Sequence, residues 1–241
     1  MATQYDHIGA EYNAIKALPV GALELAAIRS HIGDVGQLRV LDLACGTGYY
    51  SKKLIEWGAR EVVGLDISEA MVNEARRQSS GDPRLEFHVA DCSKPLESLD
   101  LGSFDLVIAI WMFNYVATEE EVFAIWQNIH NSLKPGGRCI GLTPNQDYLV
   151  KSFPEGPRFG LSLKGLEPIE NGVKFQVTVH ALNPFSFESY LLDRKIIETC
   201  AAKAGLSLRW MPPVNPNDSR VDYEDFLRLP HFKLFTGVCS V

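Results

Sequence analysis

The stretch Val40-Leu41-Asp42-Leu43-Ala44-Cys45-Gly46-Thr47-Gly48-Tyr49-Tyr50 constrains this chain more than any other: an apolar strand runs into a turn of small residues and then into a helix. Gly46 and Gly48 let backbone approach a bound molecule, because no Cβ projects and backbone angles closed to other residues are open. Strand, glycine turn and helix in that order open a β-α unit, and a series of such units builds a parallel sheet covered on both faces.

The rest of the chain continues that beat. Strands are predicted at Arg39 to Leu43, Glu61 to Leu65, Leu85 to Ala90, Phe104 to Ile110 and Gly137 to Leu142, apolar almost throughout as doubly covered strands are. Ser68 is placed to cap a helix over Glu69 to Ser79, and Thr118 with Glu121 forms a Thr-x-x-Glu capping box before Val122 to Leu133. A helix is expected over Asp193 to Ala204, then strands at Leu206 to Met211 and His231 to Cys239 with a short helix near Tyr223 to Leu229. The sum is an α/β fold, a doubly wound, mostly parallel sheet of seven strands, whose ligands bind past the carboxyl ends of the strands.

Two segments depart from the alternation. Residues 1–36 carry helical spacing, broken by Pro19, and are read as an N-terminal helical lid. Residues 145–190 hold short alternating stretches, Phe159 to Leu163 and Val173 to Val179, between Gly and Pro turns, and are read as an inserted β cap. With a core at 37–144 and a closing helix and strands at 191–241, the 241 residues make one domain.

Composition restricts the function classes. Lys plus Arg number 23 against 30 Asp plus Glu, a net charge of -7, so no sequence-wide basic surface is available to phosphates and nucleic acid is not an expected partner. The longest apolar run, Leu106 to Phe113, is far short of the roughly 18 residues of a membrane span. Met1 to Asp6 lack the basic flank and apolar stretch of a secretory signal, which makes a cytoplasmic location the expectation. The five cysteines form no Cys-x-x-Cys pair and are read as buried thiols, with no metal expected.

Two acids follow or end strands near the glycine turn, and a third, Asp42, precedes it. A dinucleotide fingerprint needs a third glycine where Ser51 stands. Asp66 closes the second strand eighteen residues after Gly48, near the spacing of a ribose-binding carboxylate; the competing explanation is an acid favoured by the helix that follows. Asp91, in Ala90-Asp91-Cys92, is placed to accept from an adenine amine, or else simply forms a turn.

Asp42 to Gly48 resembles the Asp/Glu-x-Gly-x-Gly-x-Gly signature of class I S-adenosylmethionine-dependent methyltransferases, with Ala44 in place of the first glycine. Lys134-Pro135-Gly136-Gly137 and the N-terminal Tyr5-Asp6-His7-Ile8-Gly9-Ala10-Glu11-Tyr12 are similar to further motifs of that family. The resemblance implies a Rossmann-like fold that binds S-adenosyl-L-methionine and releases S-adenosyl-L-homocysteine. It implies cofactor contacts from Tyr12 on the lid and from Ala44, Cys45, Gly46 and Gly48 in the turn. Asp66, Ile67 and Met71 would follow at the second strand, Asp91 and Cys92 at the third, and Ile110, Trp111 and Tyr115 after the fourth.

The expected reaction is in-line transfer of the methyl to N or O, less readily C or S, of a small aromatic or heterocyclic metabolite. A weaker likeness points to small-molecule methyltransferases of secondary metabolism, including those acting on toxoflavin-type azapteridines. Trp111, Phe113, Asn114, Asn145, Tyr148, Arg158 and His180 are the acceptor-site candidates, with Phe153 among the aromatic residues of the cap. A base, if one is used, would come from His7, Tyr115, His180 or His231. The chain would act as a monomer or homodimer. A catalytically silent cofactor-binding regulator and a nicotinamide-dependent oxidoreductase are the other readings.

Overall fold

The computed structural model describes residues 3–79, 81–151, 156–216 and 222–239; Phe153 lies outside them. Helix α1 (Tyr5–Ile8), a 3₁₀ stretch (Gly9–Ala17) and α2 (Pro19–His31) precede the first strand. Pro19 starts α2 where its missing N–H costs nothing, so the break predicted from it is a helix start.

The core then alternates β1 (Arg39–Leu43), α3 (Tyr49–Glu56), β2 (Glu61–Asp66), α4 (Glu69–Gln78), β3 (Leu85–Val89), β4 (Phe104–Ile110), α5 (Glu119–Ser132) and β5 (Leu133–Pro144). Helix α6 (Gln146–Lys151) leads into β6 (Leu161–Ile169), β7 (Gly172–Val179) and β8 (Phe185–Leu192), and α7 (Arg194–Lys203), β9 (Leu206–Met211), α8 (Glu224–Arg228) and β10 (Phe232–Cys239) complete the chain.

The seven-stranded sheet has the order β3-β2-β1-β4-β5-β10-β9. Strands β1 to β5 pair in parallel, and β10 runs antiparallel to both β5 and β9. The order reverses between β1 and β4, so a crevice opens past their carboxyl ends. Alternation along the strands sorts the core: Val40, Val62, Leu106 and Ile108 pack toward α2 and α3, and Leu41, Leu43, Val63 and Val107 toward α5 and α7. The caps form as expected, Ser68 accepting from Met71 N and Thr118 exchanging bonds with Glu121.

The segment read as a cap contains an antiparallel sheet ordered β6-β7-β8. Strand β8 runs on to Leu192, so the boundary drawn at 190 falls inside it; the polar residues Ser186, Glu188 and Ser189 had disguised it. The five cysteines are free, four of them buried.

Candidate functional site

The turn after β1 holds three alternate residues in the left-handed region: Ala44 at φ 58°, Gly46 at 54° and Gly48 at 76°. Ala44 therefore occupies a backbone position that favours glycine, so its replacement of the signature's first glycine carries strain of the kind found at ligand sites. Cys45 N donates to Leu65 O, which fastens the turn to β2. Asp66, at the end of β2, accepts from Gly46 N at 2.8 Å and Ser68 N at 2.9 Å. Burial displaces its carboxyl upward from the usual range, while those two donors pull the other way.

A cavity of about 220 Å³ lies over this turn. It is lined by Ala44, Cys45, Gly46, Asp66, Ile67, Met71, Asp91, Cys92, Ile110, Trp111, Tyr12 and Tyr115, which brings together twelve of the thirteen residues expected around a cofactor. Gly48 is the exception. A Cβ there would sit 3.0 Å from the Phe87 ring and 3.2 Å from Ala75 Cβ, so this glycine permits helix-against-strand packing and not the approach of a ligand. At Gly46 an added Cβ would meet nothing within 4 Å, because it would enter the cavity. Asp91 accepts from Ser93 N and Ser93 Oγ, and burial pushes the Cys92 thiol up to about 12.

The N-terminal segment lies across the cavity and is tied to the core. Asp6 accepts from Ser68 Oγ at 2.6 Å, Asn13 from Thr47 Oγ1 at 2.5 Å, and the Tyr12 and Tyr115 hydroxyls are 3.2 Å apart. Tyr5 packs edge-on against both tyrosine rings. Lys16 bonds Glu24, and Tyr50 OH donates to the same carboxylate at 2.9 Å. Of these, Asn13, Lys16, Glu24 and Tyr50 were not anticipated. Glu24 alone left a signal, a charge on the apolar face of α2 beside Leu23 and Ala27.

A second cavity, of about 70 Å³, adjoins the first. Tyr12, Trp111 and Tyr115 line both and so stand between them. Trp111 itself has φ 60°, the strained backbone of a residue turned out of the end of β4. Leu161, Leu163, Phe175, Val177 and Phe187 of the small sheet supply apolar walls, and Asn114, Tyr148 and His231 line the same cavity. Burial drives the His231 imidazole down to about 3, so it is uncharged at neutral pH.

Other candidates lie elsewhere. Phe113 turns into the core, stacked on Trp126 with centroids 4.8 Å apart. Its place in the aromatic-rich segment after Trp111 made it look like a site residue, but the 3₁₀ turn at Phe113–Tyr115 directs it into the core. Asn145 bonds Pro230 O and lines a separate hollow, and Arg158 pairs with Asp225. His7 and His180 are exposed, the latter bonded to Ser162. None of these five lines either cavity. Ser51, where a dinucleotide fingerprint needs glycine, is buried with its hydroxyl on Asp42.

An open, mostly parallel sheet with a glycine turn and strand-end acids around one crevice is the arrangement of nucleotide-binding α/β folds. Residues 40–137 match the methyltransferase domain family. The chain is 35% identical over 142 residues to the mRNA cap guanine-N(7) methyltransferase of Caenorhabditis elegans, covering 53% of this chain and 37% of that protein. It is 31% identical over 150 residues to the ubiquinone biosynthesis O-methyltransferase of Nitrosococcus oceani, covering 57% and 61%. The S-adenosylmethionine-dependent methyltransferase structure from Clostridium acetobutylicum superposes with a TM-score of 0.70 at 16% identity, over 99% of this chain and 100% of that one. Residues 40–137 thus carry the methyltransferase-domain match, and the chain shares its fold with S-adenosylmethionine-dependent methyltransferases of known structure. It spans about half the length of the curated relatives it matches. No helix among the described residues is long and apolar enough to cross a membrane.

Proposed function

We propose that the protein transfers a methyl group from S-adenosylmethionine, held in the larger cavity, to N or O of a small acceptor in the smaller one. The supporting observation is that the two cavities lie side by side, with Tyr12, Trp111 and Tyr115 lining both. The larger cavity fits an adenosine: Gly46 leaves open space where a side chain would intrude, the Asp66 carboxylate suits ribose hydroxyls, and Ile67, 46% exposed, offers an apolar surface at the rim.

S-adenosylmethionine supplies a methyl bonded to a positively charged sulfur, which an acceptor lone pair displaces without a covalent enzyme intermediate. The chain's own task is alignment and exclusion of water. Orientation of this kind contributes roughly 7–11 kcal/mol, more than the roughly 10²–10⁴-fold from one general base, so the exposure of His7 and His180 is no objection. Two of the relatives named above act on an mRNA cap and in ubiquinone biosynthesis. A capped RNA brings phosphates, and no Lys or Arg among the described residues lines the smaller cavity. Its apolar walls favour a small metabolite.

Calorimetry tests the reading: S-adenosylhomocysteine is expected to bind and NADH is not. A metabolite panel screened for release of S-adenosylhomocysteine then identifies the acceptor. Binding of NADH alone would sink the proposal.

A further inference from the structure

Glu24 is 1% exposed yet lines the smaller cavity, and no other Asp, Glu, Lys or Arg among the described residues does so. Its two oxygens are used unequally. Oε2 accepts from Lys16 Nζ at 2.5 Å and from Tyr50 OH at 2.9 Å. Among the described residues no hydrogen bond reaches Oε1, which leaves that oxygen of a cavity-lining carboxylate open to a ligand. A carboxylate oxygen offers lone pairs that cost free energy when an apolar wall leaves them unmet. The other polar groups on the wall, the Tyr12, Tyr115 and Tyr148 hydroxyls, the Trp111 indole, Asn114, Ser189 and the His231 imidazole, carry no charge.

We propose that Glu24 selects an amine as the methyl acceptor, a compact apolar body bearing a primary or secondary nitrogen whose N–H donates to Oε1. The assignment rests on the methyltransferase reading above and names the substrate class of the same site. A neutral nitrogen gains positive charge as it attacks, and a carboxylate beside it stabilises that charge; an attacking phenolate or carboxylate would meet repulsion instead. The nitrogen lone pair forms the N–C bond while the C–S bond breaks, its electron pair returning to sulfur as a neutral thioether. The product leaves as the methylated ammonium, its charge balanced by Glu24 until it is released, and gives up its extra proton to water only outside the site. Lys16 and Tyr50 hold Oε2, and with it the orientation of the carboxylate, from the side of the larger cavity.

The full chain is first titrated with S-adenosylhomocysteine and then, saturated with it, with benzylamine, benzyl alcohol and benzoate as probes. Benzylamine is expected to bind at least about tenfold tighter than benzyl alcohol, through a charge-assisted bond, and benzoate not at all. Glu24→Gln should lose the preference for the amine. Equal or tighter binding of the alcohol or the acid, or binding of none of the three, overturns the assignment. The wild-type ranking decides this even if Glu24→Gln fails to fold. Failure of S-adenosylhomocysteine to bind counts against the methyltransferase reading; its binding without an amine preference counts against the amine alone.

Discussion

Asp66 Oδ2 lies 2.8 Å from Gly46 N, so the acid that ends β2 is bonded to the glycine turn that follows β1. The bond sets two parts of the larger cavity in fixed register before any ligand arrives. A carboxylate already oriented by backbone donors loses little freedom on binding, which is how preorganisation raises affinity.

Asp66→Ala is expected to weaken S-adenosylhomocysteine binding by about 1–3 kcal/mol, the worth of charge-assisted bonds to a diol. The acceptance of ribose protons needs the ionised acid, and burial displaces its ionisation upward. Affinity should therefore fall as pH is lowered, beginning above the ordinary carboxylate range. Calorimetry across pH checks both statements, and an affinity independent of pH in wild type and variant alike would remove Asp66 from the site.

Asp42, 2% exposed, carries a pH-dependent cost. Burial lifts its carboxyl from 3.8 to about 7, against the opposing bond from Ser51 Oγ. The folded state then holds a proton that the unfolded chain has released, so stability declines as pH rises from the ordinary carboxylate range to about 7 and is level above it. Asp42→Asn keeps an acceptor for Ser51 without the charge. It should melt higher than wild type at pH 8, by at most about 4 kcal/mol at 1.36 kcal/mol per unit, with the gap closing near pH 4. Thermal melts of the two proteins over that range decide it.

The sheet was readable in advance because doubly covered strands are written as apolar runs and their helices as capped, periodic ones. Arg39 to Leu43 and Phe104 to Ile110 emerge with the expected ends. Strand β8 was less legible, since one face is polar, and the direction of Phe113 depends on a 3₁₀ turn that no periodicity announces. The turn, the strand-end acids and Trp111 were found because their chemistry is local to the sequence. Lys16, Glu24 and Tyr50 were not, because a cluster joining α2 to α3 across the lid exists only once the chain has folded.

Tyr12 and Tyr115 bridge the two cavities through hydroxyls 3.2 Å apart. Tyr12→Phe removes that bond but keeps the ring, and its cost to S-adenosylhomocysteine binding should be no more than about 0.5–1.5 kcal/mol. Tyr12→Ala opens the wall between the cavities and should cost more. If the two variants bind alike, the ring does not cover the cofactor cavity.

Gly46 and Gly48 sit in one turn and should fail in opposite ways. Alanine at either position takes a left-handed φ, a strain of about 1–2 kcal/mol that Ala44 already bears in the same turn. At Gly48 the new methyl also crowds Phe87 and Ala75, so Gly48→Ala should lower the melting temperature while the protein that remains folded still binds S-adenosylhomocysteine. At Gly46 the methyl meets no protein atom and projects into the cavity, so Gly46→Ala should melt closer to wild type and bind the nucleoside poorly. Melting curves paired with calorimetry separate the two, and a Gly46→Ala protein with undiminished affinity would show that the space above the turn is not where the adenosine lies.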